Sequence, residues 1–252
     1  MTRDEALTLY HPIRASVRRI LKEAVGVCNQ SDLKRAAKAL GLWAKEKIVL
    51  PEEEGPVEML SDIALFEPNQ RGRRAFDLFL SERASELEPA DAELARRMGH
   101  AFFSLFRNSG PHESGGIWLE SLLDDKKRLW LMDERMEEIS STASAFGMRI
   151  FDAGPFHVGF GIAAPSDDET AEFAVQGMKD SGRAPFRYSL AATLYGDSIH
   201  GLEYLALEID EAMFESFTAT FLSRGPSNQS SSGSRPSQQG RPRKAKRAGH
   251  AR

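Results

Sequence analysis

The apolar residues of this chain change their spacing near residue 115, from the period of a helix to that of a strand, and any fold must accommodate both in turn. Ahead of the change, Ile13, Val17, Ile20, Leu21 and Ala24 line one face of a helix expected from Pro12, which suits a first helical turn, to about Val27. Ser31 is placed to cap a second helix, with Leu33, Ala36, Ala37 and Leu40 as its inner stripe and Gly41 as its end. A short third helix is expected from about Leu42 to Pro51. The Glu/Pro-rich stretch EEEGP then breaks the chain. Amphipathic helical segments are expected over 57–67, 71–87 and 91–106, divided at Pro68-Asn69 and near Pro89.

Beyond the change, GGIWLESLL, KRLWLMDE, GMRIF and FHVGFGIAA are short runs rich in aromatic and branched residues, bounded by turn residues such as Asp152-Ala153-Gly154-Pro155. They read as an antiparallel meander or small barrel over about residues 115–163, with Trp118 and Trp130 as core residues on neighbouring strands. Helices return from Asp167, where Ser166 and Glu169 have the spacing of a capping box, and Leu202–Leu222 is expected to be mostly helical. The class is therefore α+β: a helical N-terminal half, a small antiparallel sheet, C-terminal helices and a basic tail.

Charge divides the chain differently. Residues 1–50, a basic helical hairpin region, hold 10 Lys/Arg against 5 Asp/Glu; residues 51–223, an acidic α+β body, hold 15 against 32; residues 224–252 hold 8 against none. The formal net charge of −4 conceals this arrangement. The last stretch has no aromatic or large aliphatic residue to offset the entropy of ordering, so a disordered tail is expected. It carries Arg241, Arg243, Lys244, Lys246 and Arg247 close together. Two readings of it stay open: a solvated or self-neutralising end, and a contact with nucleic-acid phosphate or an acidic protein partner. The acidic body opposes any polyanion within a Debye length, about 8 Å at physiological salt.

Several chemistries find no support. Acids and a proline interrupt the first residues, where a signal peptide needs an apolar run, and no stretch of 18 apolar residues occurs, so a cytoplasmic protein without membrane contact is expected. The single cysteine, Cys28, permits neither an internal disulfide nor a multi-thiolate zinc site. The six histidines show no HxxxH or HExxH spacing, and no serine lies in a G-x-S-x-G elbow. Gly159-Phe160-Gly161 lacks the third glycine of a dinucleotide loop and has no phosphate-binding lysine. No cofactor or metal is expected from these patterns. Arg71, Arg73 and Arg74 open a helix and suit either a phosphate or ion pairs with the acidic body. Asp124, Asp125, Lys126 and Lys127 fit a charged turn as well as a carboxylate-lysine metal site.

Residues 31–50, SDLKRAAKALGLWAKEKIVL, resemble a helix-turn-helix at Ala37, Gly41 and Leu42, a small residue, the turn glycine and the apolar residue after it. They depart from it at Lys47, where the second helix should turn an apolar residue inward, and in lacking the usual Arg, Asn or Gln for base edges. A second resemblance covers more of the chain. ALFEPNQRGRRAFDLFL, AFFSLFR, GGIWLESLL, LWLMDE and MRIFDAGPFHVGFG together resemble uncharacterised bacterial proteins related to the region preceding SEC-C motifs. That resemblance implies a bacterial origin and one helical-plus-meander unit over about residues 60–165; the cysteines of the motif are absent, so zinc binding is not implied.

The resulting expectation is a non-enzymatic binding or regulatory protein that touches nucleic acid or an acidic partner through Lys34, Lys38, Lys45 and Lys47 and the five tail cations. The alternative is an enzyme, metal-dependent in one version, with Asp124, Asp133 and Asp152 in a pocket between helices and meander. Convergence of those three carboxylates in one cleft would favour the enzyme. The tail's composition yields a direct expectation: deleting residues 225–252 leaves the melting midpoint unchanged in a thermal scan, whereas a loss of several degrees would show that the tail docks on the body.

Overall fold

The computed structural model describes residues 1–51, 55–124, 127–138, 145–181, 188–201 and 205–206. Helix α1 (Arg3–Val25) starts well before Pro12, because Thr2 and Glu5 form a reciprocal capping box that fixes the first turn. Pro12 sits inside the helix on an exposed face, so water can serve the Thr8 carbonyl that the missing N–H leaves free. Helix α2 (Gln30–Ala39) is capped by Asn29, not Ser31; the Asn29 side chain accepts from the backbone of Ser31 and Asp32.

The third helix expected from Leu42 does not form. Strands β1 (Trp43–Ala44) and β2 (Lys47–Ile48) make a tight hairpin there, with Lys45 and Glu46 at φ 50° and 62°, the two positive values of a type I′ turn. The Val49 N–H closes the hairpin on the Leu42 carbonyl. The second helix of a helix-turn-helix is thus absent from this segment. Gly41 ends α2 for two reasons: its φ is 71°, and a Cβ there would lie 2.4 Å from the His200 ring.

Helix α3 (Gly55–Phe66) is buried along almost its whole length, as expected of a helix that is apolar on all sides. Helices α4 (Ala75–Arg83) and α5 (Pro89–Met98) follow, Pro89 standing in the first turn of α5. The helical segment expected to reach residue 106 stops at Met98, where the Gly99 N–H caps the Ala95 carbonyl. Phe102–Pro111 is strand β3. Leu105 joins the helical core and Phe106 the core beneath the sheet, so both sides of the strand are apolar and the alternation that marks a strand is hidden.

The sheet continues with β4 (Ile117–Ser121), β5 (Arg128–Leu131), helix α6 (Glu134–Glu138), β6 (Ala145–Asp152) and β7 (His157–Ser166). Helices α7 (Asp168–Ser181) and α8 (Leu190–Gly201) and the two-residue strand β8 (Leu205–Ala206) complete the described chain. The strand order is β5-β4-β3-β6-β7-β8, antiparallel throughout. A short parallel pairing of β5 with β7 at Leu131 and His157 joins the ring into a small barrel, so the simple meander is replaced by a closed arrangement. Closure requires Gly116, where a Cβ would lie 2.1 Å from the Leu131 carbonyl oxygen. Phe106, Ile117, Leu119, Leu131, Met148 and Ile150 fill the interior, and Met136 of α6 packs with them.

Trp118 and Trp130 are directly paired across β4 and β5 but are half-buried, on the side of the strands away from Ile117, Leu119, Leu129 and Leu131. The core reading is therefore corrected for Trp118, whereas Trp130 is partly buried against the helical core beside Phe156. Their rings are engaged nonetheless: His112 stacks on Trp130 at 3.8 Å, the Trp130 indole N–H donates to the Gly115 carbonyl (2.7 Å), and Arg128 stands over Trp118 at 4.9 Å.

The helices pack on the outside of the barrel, and one apolar cluster runs from Ala6 of α1 to Ile199 of α8. The charge boundary near residue 50 is thus not a packing boundary. Asp167, one residue after the expected Ser166, caps α7 by accepting from the Thr170 N–H. The expected C-terminal helix and the whole of residues 224–252 lie outside the described residues, save that Leu205–Ala206 forms a strand on β7. Among the described residues no helix is long and apolar enough to cross a membrane. Two phenylalanines of β3 test the architecture. Phe106→Ala, at 0% exposure, should cost about 3–5 kcal/mol in urea unfolding. Phe102→Ala, at 42%, should cost under ~1 kcal/mol, and equal losses would refute this barrel interior.

Candidate functional site

Lys34 and Lys38 stand one turn apart on α2 and point outward because Leu33, Ala36, Ala37 and Leu40 take the opposite face into the core. Lys45 lies in the turn of the following hairpin and Lys47 in β2. All four are exposed. The hairpin is held at this corner by partly buried Trp43 and Ile48 and by Lys34, whose ammonium lies 4.8 Å from the Trp43 ring. Among the described residues none of the four lysines forms an ion pair. Glu46 at the hairpin tip is the one carboxylate between them in sequence, and Asp32 is turned inward as part of the α2 cap. Arg35 is committed elsewhere, its Nη2 donating to the Glu67 carbonyl at 2.9 Å. Arg241, Arg243, Lys244, Lys246 and Arg247 lie outside the described residues.

The three carboxylates of the enzyme alternative have separate local roles. Asp124 is exposed in the β4–β5 turn, its carbonyl accepting from the Lys127 N–H, while Asp125 and Lys126 lie outside the described residues. Asp152 is exposed in the β6–β7 turn, where its Oδ1 accepts from the Gly154 N–H at 2.8 Å. Asp133 is 4% exposed and caps α6, its Oδ1 accepting from the Arg135 and Met136 N–H groups. Burial raises the Asp133 carboxyl above the usual range and nearby Arg14 opposes that rise. The pocket lined by Asp133 includes neither of the others. Among the described residues no three His, Cys, Asp or Glu side chains are grouped to hold a metal ion.

Arg74 pairs with Asp77 and donates to the Gly99 carbonyl; Asn69 accepts from the Arg71 and Arg73 backbone N–H groups, which fixes the turn but leaves those two side chains exposed. Cys28 is buried, and burial together with Asp32 pushes its thiol up to about 12. At neutral pH it is an inert thiol.

Sequence reasoning misses a buried charge network between β6 and α3. Arg149 of β6 points from the barrel towards α3 and donates through Nε to both oxygens of Asp62, at 2.9 and 3.1 Å, and through Nη2 to Glu67 at 3.0 Å. Its side chain and that of Asp62 are each 5% exposed. Burial raises the Asp62 carboxyl and Arg149 only partly offsets this, whereas at Arg149 burial lowers the pKa and Asp62, Tyr195 and Glu67 together more than reverse it. The asymmetry has a physical source: one guanidinium sees two carboxylates, and they share it. The signals for this network are single letters, an arginine in GMRIF and an aspartate in MLSDIAL, each an interruption of an apolar run.

Residues 4–180 match a family of unknown function, DUF7986. That stretch runs from the start of α1 into α7 and takes in the lysine corner, the barrel and the Arg149 network together. No curated protein and no solved structure matches the chain.

Proposed function

We propose, for a chain that belongs to the DUF7986 family, that the lysine corner formed by α2 and the β1–β2 hairpin binds nucleic acid through its phosphates, with the cations of residues 241–247 as a second contact. One observation carries this reading: Lys34, Lys38, Lys45 and Lys47 are brought to one corner, exposed, and without a carboxylate partner among the described residues. Elsewhere Arg19, Arg74, Arg83, Arg96 and Arg149 are ion-paired. The replacement of a second helix by a hairpin removes the element that a helix-turn-helix would lay in the major groove, so backbone contact without sequence readout is the mode that suits this corner. No catalytic step is assigned, since the acidic residues considered for one serve as turn and cap residues. The buried reduced thiol of Cys28 fits the reducing cytoplasm in which we place the protein.

Binding of this kind is salt-dependent, and removing one lysine–phosphate interaction should flatten the slope of log K against log salt by about 0.9 on duplex DNA. Fluorescence anisotropy with a labelled duplex and a labelled single strand over a series of salt concentrations measures it. Replacing Lys34, Lys38, Lys45 and Lys47 together by Gln should flatten the slope, and deleting residues 225–252 should flatten it further. Absence of salt-sensitive binding to either probe at low salt would contradict the proposal. Binding that survives both changes would place the interaction elsewhere on the protein.

A further inference from the structure

Helix α2 has an exposed cationic feature on each flank. On one flank the Lys34 ammonium stands over the Trp43 ring and so faces the β1–β2 hairpin with Lys45 and Lys47. On the other, Arg35 reaches the Glu67 carbonyl just past the end of α3. Close beyond Glu67 the chain turns sharply over residues 69–73, where the Asn69 N–H donates to the Arg73 carbonyl at 2.9 Å and the Gly72 N–H to the Asn69 carbonyl at 2.8 Å. Gly72 takes a φ of 72°, and the Asn69 Oδ1 accepts from the backbone of Arg71 and Arg73. Backbone and Asn69 together hold this turn. The side chains of Arg71 and Arg73 are exposed, and among the described residues neither forms an ion pair. The carboxylates beside the turn are already engaged, Glu67 with Arg149 and Asp77 with Arg74. Lys38 follows Arg35 by three residues on α2, on the same side of the helix one turn along, so the cations continue from the turn across α2 to the hairpin.

We propose that Arg71 and Arg73 extend the nucleic-acid contact of the lysine corner across α2, each gripping a phosphate, so that one phosphodiester backbone runs from this turn to the hairpin. The inference rests on the reading of the lysine corner and adds a second kind of contact to it. A planar guanidinium fork binds two phosphate oxygens at once, whereas a lysine ammonium acts as a point charge. The turn keeps its shape without either arginine side chain, so both are free to engage a ligand, and a backbone fixed in advance limits the entropy lost on binding. Cations spread over a turn, a helix and a hairpin suit the repeated charges of a polyanion; a free phosphate would occupy one of these places only.

The test measures anisotropy of the labelled duplex and single strand over a salt series with the full chain and three double variants. Arg71→Gln with Arg73→Gln should flatten the slope of log K against log salt by about 1.8 on duplex DNA, two contacts at about 0.9 each, and should leave the melting midpoint unchanged. Arg71→Lys with Arg73→Lys should keep the slope, because the charge remains, and lower the affinity several-fold, because the fork is lost. Arg83→Gln with Arg96→Gln removes the same charge from ion pairs at the far end of α4 and on α5, and should leave the slope as it is. A slope unchanged by R71Q with R73Q, in a chain whose binding still responds to loss of the four lysines, would overturn this inference and leave the lysine corner in place. Equal flattening by the Gln and Lys pairs, or by R83Q with R96Q, would also overturn it. No salt-sensitive binding by the unaltered chain would overturn both.

Discussion

One buried guanidinium joins the two layers of this protein. Arg149 leaves the outer face of the barrel on β6 and is met by Asp62 and Glu67 from α3 and its end, between the rings of Phe66 and Phe103 at 5.2 and 5.7 Å. An ion so placed tolerates little displacement, because breaking a buried pair from one side leaves the other charge without compensation. Its neighbours therefore have their positions set for them. Helix α3 presents Asp62 to β6 and lies buried along its length, with α1, α2, α4 and α8 packed against it. Helix α8 brings Tyr195 against Phe103 and reaches α2 through His200, whose Nε2 lies 3.2 Å from the Leu40 carbonyl oxygen. The end of α2 and the hairpin that follows are held by that contact and by the packing of α2 on α3. The proposed function thus depends on a chain of contacts that begins in the core.

The distribution of charge acquires a structural meaning from this arrangement. Residues 1–50 share a single apolar core with the acidic body, so their positive charge cannot move away from it. A polyanion approaching the lysine corner meets the field of 32 acidic against 15 basic residues in the adjoining part of the chain. Affinity at physiological salt is then limited by long-range repulsion, and the number of cations that act together decides the outcome.

The sequence reveals elements where one face differs from the other. The inner stripe of α2 is legible because Lys34 and Lys38 alternate with Leu33, Ala36 and Ala37, and the exposed corner follows from the same pattern. Strand β3 is not legible. Phe103, Leu105 and Phe106 are apolar on both sides, and a run apolar on both sides has no period of two to detect. Where α1 begins is misread because Pro12 suits a first turn, while the capping box at Thr2 and Glu5 is the stronger local signal. Residues 42–50 are too short for periodicity to distinguish helix from hairpin, and only the backbone at Lys45 and Glu46 decides it. The lysines of the candidate site are found because exposure is a local property of a helix face. The pairing of Arg149 with Asp62 and the facing of α1 by Asp133 are not, since each joins residues far apart in the chain and no pattern in either segment names its partner.

The central claim is that Arg149 and Asp62 act as one unit holding the barrel to the helices. A double-mutant cycle of Arg149→Met and Asp62→Leu, followed by urea unfolding, tests it directly. Each single change should cost about 3–5 kcal/mol, because each strands a buried charge. The double change should cost less than the sum of the two, by about 2 kcal/mol or more, since only Glu67, which is less buried than Asp62, is then left without its partner. Costs that simply add, or single changes each worth under ~1 kcal/mol, would contradict the account, because the two layers would then be held by apolar packing alone.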